Sequence, residues 1–179
     1  MNRGFLAATA TLCLAAGCTA PPPKPEAERT VSDTARGVRY VVPEGWKSFE
    51  GEVRSPGGSL LTLRVYDLVE ADKRFVAGLP DTLVPQLLEW AQFYYRVEGP
   101  AVRTATTVAS IPATEFVYPI RNRPTDPPSK VIYWVVKRKT RLFVLRAALA
   151  AKTQAEDEPM VRKIVDGWGF VESTVPSPQ

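Results

Sequence analysis

The chain has 179 residues, with 23 Lys or Arg against 19 Asp or Glu, no histidine and two cysteines. That length supports one domain with a real core and is too short for two. Without imidazole there is no Ser-His-Asp or Cys-His nucleophile pair and no His-ligated zinc or iron, so a catalyst would have to rest on carboxylates, lysine or tyrosine alone.

Met1-Asn2-Arg3 carries positive charge, Gly4 to Ala16 is apolar and small-sided, and Gly17 is a small residue before a cleavable bond. These are the three parts of an export signal. The apolar run falls short of the roughly 20 residues of a membrane span. A buried N-terminal helix is the competing reading, and the stretch Ala20-Pro21-Pro22-Pro23-Lys24-Pro25 directly after it argues against that.

Ala15-Ala16-Gly17-Cys18 resembles the lipobox of bacterial lipoproteins, with Ala15, preceded by Leu14, where a larger aliphatic residue is usual. The resemblance implies a signal peptide over residues 1–17 and a mature chain that starts at Cys18, which carries a diacylglyceryl thioether and an amide-linked acyl chain. Burial of acyl chains contributes about 0.8 kcal/mol per CH₂, so several chains hold a protein on a bilayer where one does not. Cys13 would be removed with the signal, so a disulfide at Cys18 would have to be intermolecular. Thr19, in place of Asp, implies sorting to the periplasmic face of the outer membrane.

Residues 18–36 read as the lipidated cysteine followed by a tether rich in proline and charge, with almost no large apolar side chain. Such a segment cannot offset its ordering entropy, and fully extended it would reach on the order of 50 Å. Residues 173–179 form a similar polar tail.

Between them, residues 37–172 have mostly strand periodicity. Val38 to Val42 is a short strand stopped by Pro43-Glu44-Gly45-Trp46. Ser59 to Leu68 alternates, with Leu61, Leu63 and Val65 on one face and Thr62 and Arg64 on the other. A helix of about 15 residues is expected after Pro80-Asp81, with Leu83, Leu87, Leu88, Ala91, Tyr94 and Tyr95 on its buried stripe. Ala113 to Ile120 puts Thr114, Phe116, Tyr118 and Ile120 together. Lys130 to Val136 is apolar on both faces, as a central strand covered on both sides would be. After the turn Lys139-Thr140, Phe143, Leu145, Ala147 and Leu149 face one way and Arg146 the other, and short connections make these last three strands an antiparallel meander. A second helix carries Met160, Val161, Ile164, Val165 and Trp168. Its start is marked either by Thr153 with Glu156 three residues on or by Pro159 as a first-turn residue. Glu156-Asp157-Glu158 suits the positive end of the helix dipole better than a cation site.

This order of elements, together with Tyr40 to Trp46 at the start and Arg141 to Ala148 running into Val161 to Trp168 at the end, resembles the family of PsbP, the extrinsic photosystem II subunit. That family includes a Ran-binding nuclear-transport factor and many bacterial lipoproteins. The resemblance implies an α+β fold: an α/β/α sandwich around a central antiparallel sheet, in a single domain that acts by binding and not by catalysis. It transfers no functional residue, because members share the scaffold and differ in partner.

Candidate sites each have a plainer competitor. Arg121 and Arg123 share one hairpin loop, and Lys137, Arg138, Lys139 and Arg141 crowd the next turn. Successive meander turns lie at opposite ends of a sheet, about 25 Å apart, so these are two small patches. Loss of Arg3 with the signal leaves 22 basic against 19 acidic side chains, and nucleic acid is not expected as a partner. Asp67, Glu70 and Asp72 lack the glycine and terminal glutamate of a calcium loop. Trp46, Trp134 and Trp168 lie beside apolar stripes and read as core, whereas Trp90 sits off its helix stripe near Phe93 as an outward contact pair. Tyr118 or Lys137 as a lone catalyst has no supporting motif. The expectation is an exported, lipid-anchored binding or assembly module for an envelope protein complex, without a cofactor. The alternative is a carrier holding an apolar or lipid ligand between sheet and helix.

Overall fold

The structure, a computed structural model, describes residues 26–68 and 84–172. Its centre is the expected meander: β8 (Ile111–Arg121), β9 (Ser129–Arg138) and β10 (Arg141–Ala148), each antiparallel to the next. Every residue from Val131 to Val136 is buried, as an apolar run on both faces requires. Ile132, Trp134 and Val136 point into one hydrophobic cluster, and Val131, Tyr133 and Val135 into another. The period of two thus distributes one strand between two cores.

Each of the two described helices packs into one of these clusters. α1 (Val84–Tyr94) packs Leu87 and Ala91 against Tyr133, Val131 and Val144. On the other face α2 (Gln154–Asp166) contributes Val161, Ile164 and Val165, with Trp168 just beyond its end, to a cluster with Trp134, Phe143 and Leu145. Each of these side chains adds about 1.5–3 kcal/mol by leaving water. The long sheet extends past β10 to β5 (Leu60–Asp67) and the hairpin of β3 (Lys47–Phe49) and β4 (Glu52–Arg54). On its other side β8 pairs with both β6 (Arg96–Val97) and β7 (Val102–Val108).

A second, three-stranded sheet joins β1 (Arg29–Asp33), β2 (Val38–Val42) and β11 (Gly169–Phe170). It corrects the expected boundary at residue 37, because β1 lies within the stretch read as tether. Val31 is the one apolar side chain of β1, and the strand is set by its turn. There the Asp33 carboxylate accepts from the Arg36 amide at 3.0 Å and from the Arg36 guanidinium at 2.7 Å, and Gly37 takes φ +72°.

α2 begins after Thr153, which settles the two expected starts, and Pro159 lies inside the helix. The Thr153 hydroxyl donates to Asp157 Oδ2 at 2.5 Å and makes no cap bond. Asp157 is 7 % exposed and also accepts from Ser55 Oγ at 2.8 Å; Ser55 in turn accepts from the Ser59 amide, and Ser59 from that of Ala150. This buried chain of bonds pins the start of α2 to the β4–β5 turn. Gly57 stands there because a Cβ would lie 2.3 Å from Thr153 Oγ1.

Further along α2, Arg162 donates to Glu115 at 2.7 Å and to Glu158 at 3.1 Å, and Lys130 reaches Glu158 at 2.7 Å. Burial alone would raise the Glu158 pKa, but the hydrogen bonds and charges of Lys130 and Arg162 outweigh it and hold the carboxyl below its ordinary value. A carboxylate depressed in the folded state adds stability above its unfolded pKa of about 4.3, and that contribution is lost as pH falls through the lower folded value. Glu158→Gln will therefore lose less stability than the native chain between pH 7 and about pH 3, measured as urea unfolding midpoints. Equal losses in both proteins would contradict the assignment.

Candidate binding cleft

α1 packs with β8, β9 and β10 on its face and reaches Tyr66 of β5 through Trp90, leaving a cleft beside Thr62 and Arg64. Antiparallel register places Thr62, Arg146 and Tyr133 in one row across β5, β10 and β9, with Arg64 and Val144 in the next. The helix offers Trp90, Phe93 and Tyr94, spaced i, i+3, i+4 and so on one flank. These eight side chains line a cavity of about 230 Å³ between helix and sheet.

The cleft is cationic and aromatic. The Arg146 guanidinium lies over the Tyr94 ring at 5.1 Å, and Phe93 meets Tyr94 edge to face at 4.9 Å. Burial raises the Tyr133 hydroxyl to about pKa 12, against the pull of the nearby Arg146 charge. Tyr133 is 1 % exposed, and neither its hydroxyl nor Arg146 Nε completes a hydrogen bond of normal geometry among the described residues. The phenol therefore stays neutral, with its O–H kept as a donor, throughout the physiological pH range.

Trp90 is placed differently from the expectation. It is half-buried and stacks on Tyr66 at 6.1 Å, because residue 90 lies one turn from the buried Leu87 and β5 brings Tyr66 beneath it. Tyr94, expected on the stripe, is 54 % exposed, and Phe93 is 80 % exposed as expected, so the outward pair is Phe93 and Tyr94. Leu83 lies outside the described residues.

The basic residues stand in two groups at opposite ends of β9. Arg121 pairs with Glu98 at 2.7 Å and donates to the Asp126 carbonyl at 2.7 Å, while Arg123 is exposed. At the far end Arg141 pairs with Asp67 at 2.9 Å and Arg138 lies over Phe170 at 4.8 Å, which leaves Lys137 and Lys139 exposed. Among the described residues no group of three or more acidic or cysteine side chains could hold a metal; Glu70 and Asp72 lie outside them. Tyr118 is buried on β8 beside Val131, far along the sheet from Lys137, and burial raises its pKa. Cys18 also lies outside the described residues.

Sequence reasoning overlooked Thr62, Arg64, Tyr133, Val144 and Arg146 as a group. The available signal was polar and basic side chains on the faces of β5 and β10 opposite the leucines, and the pairing register supplies the rest.

No known sequence family matches the chain, and no curated protein does. Among solved structures it is similar to the solution structure of cyanobacterial PsbP (CyanoP) from Synechocystis sp. PCC 6803. The TM-score is 0.56 at 11% identity, over 80% of this chain and 92% of that one. At that identity the likeness shows the fold: α+β, built mainly on antiparallel sheet, and PsbP-like.

Proposed function

We propose that the chain is an exported lipoprotein, held through acylated Cys18 at the periplasmic face of the outer membrane, whose head is a non-catalytic binding module for an envelope protein complex. We read its two helix-covered faces as an α/β/α sandwich. The observation that carries the binding role is the exposed Phe93 and Tyr94 pair on α1, since large exposed aromatics side by side mark contact surfaces. The separated basic groups support a protein partner over nucleic acid. Detergent-solubilised envelopes provide the test. The native chain should retain a stoichiometric partner that Phe93→Ser/Tyr94→Ser loses, and equal recovery by both, or none by either, would contradict the reading.

A second reading, a carrier for an apolar ligand between sheet and helix, is favoured by the cavity of about 230 Å³ in that place.

A further inference from the structure

We propose that the cleft between α1 and the β5–β10–β9 face binds a small organic monocarboxylate with a flat apolar body. The inference rests on the carrier reading and names the ligand's chemistry.

Two buried donors point the same way. The Tyr133 hydroxyl and Arg146 Nε both line this cavity; the guanidinium lies within reach of the phenol, but neither group completes a hydrogen bond of normal geometry among the described residues. Their mutual contact is a distorted one and leaves the phenol O–H and further guanidinium N–H groups to donate, so a ligand acceptor seated between them would complete both. Water would satisfy the donors but not the charge. Arg146 has no carboxylate within ion-pair distance among the described residues, and Arg64 adds a second guanidinium at the open side. A planar carboxylate fits a guanidinium fork and brings a single negative charge. A phosphate monoester would bring nearly two charges, and of the two guanidiniums only Arg146 is sheltered from water, Arg64 being exposed.

The rest of the lining sets the body. Trp90, Phe93 and Tyr94 give flat apolar walls, and Val144 an apolar floor. A cavity of about 230 Å³ holds on the order of ten non-hydrogen atoms, enough for a ring and a carboxylate and too few for a long acyl chain.

Phenylacetate, phenylacetamide and inorganic phosphate are the probes, titrated into the full chain and followed by amide chemical shifts and tryptophan fluorescence. Phenylacetate should shift the resonances of Thr62, Trp90, Tyr133 and Arg146 and bind about tenfold or more tightly than the amide. Arg146→Met should abolish that preference, and the shape-conserving Tyr133→Phe should weaken phenylacetate several-fold while leaving the amide less affected. If Arg146→Met fails to fold, Tyr133→Phe decides. Equal binding of acid and amide would overturn the charge assignment and leave the carrier reading standing. Phosphate binding as tightly as phenylacetate would overturn the apolar body. No response to any probe would overturn both the inference and the carrier reading.

Discussion

Trp134→Ala should lower the unfolding free energy by about 3–5 kcal/mol. Trp134 is 2 % exposed at the middle of β9, paired with Glu115 on one side and Leu145 on the other. It sits in the cluster that receives Val161, Ile164 and Val165 of α2, and the Arg162 guanidinium lies over its ring at 5.9 Å. Truncation leaves a void that a strand bonded on both edges cannot close. It also strips the apolar cover from Arg162, whose bond to Glu115 ties α2 to β8. For a domain of this size the melting temperature should fall by roughly 10 °C. Trp134→Phe should lose much less. A Trp134→Ala variant within about 1 kcal/mol of the native chain would mean that α2 does not pack on this face.

Cys18→Ser should remove the protein from the outer-membrane fraction, because the anchor proposed above has no substitute in the described part of the chain. No helix there is long and apolar enough to cross a membrane. At about 0.8 kcal/mol per CH₂, attached acyl chains far outweigh what the few large exposed apolar side chains among the described residues could add to bilayer affinity. Labelled fatty acid should be incorporated by the native chain and not by the variant. Labelling of both, or of neither, would contradict the assignment to this sulfur.

The elements that were legible in the sequence are those whose burial leaves a period. β9 was readable from an unbroken apolar run, β10 and β5 from alternation, and α2 from its one-turn stripe. Those that escaped have no such period. β7 is exposed at most positions, and its hairpin to β8 turns through Ala109 and Ser110, both at positive φ, where glycine or asparagine would be the usual sign. β1 has only Val31 to bury, and its signal was the Asp33 to Gly37 turn. The β3–β4 hairpin did carry a readable sign in Glu50-Gly51, again both at positive φ.

For the cleft, sequence alone put Thr62 and Arg64 on the face opposite the leucines, and Arg146 opposite Phe143 and Leu145. It could not show that these are the same face, since that depends on Arg146 pairing with both Thr62 and Tyr133. Trp90 was misplaced for a related reason. A helix stripe predicts what points at the sheet but not how far the sheet extends beneath its flank, and here Tyr66 reaches out to meet the indole.

Intact-mass analysis of the protein extracted from envelopes tests most directly whether a PsbP-like head is tethered to a bilayer. The expected species is a polypeptide whose first residue is Cys18, heavier than its amino acids by a diacylglyceryl group and one further acyl chain. A chain that still starts at Met1 with an unmodified Cys18 thiol would contradict the lipid anchor.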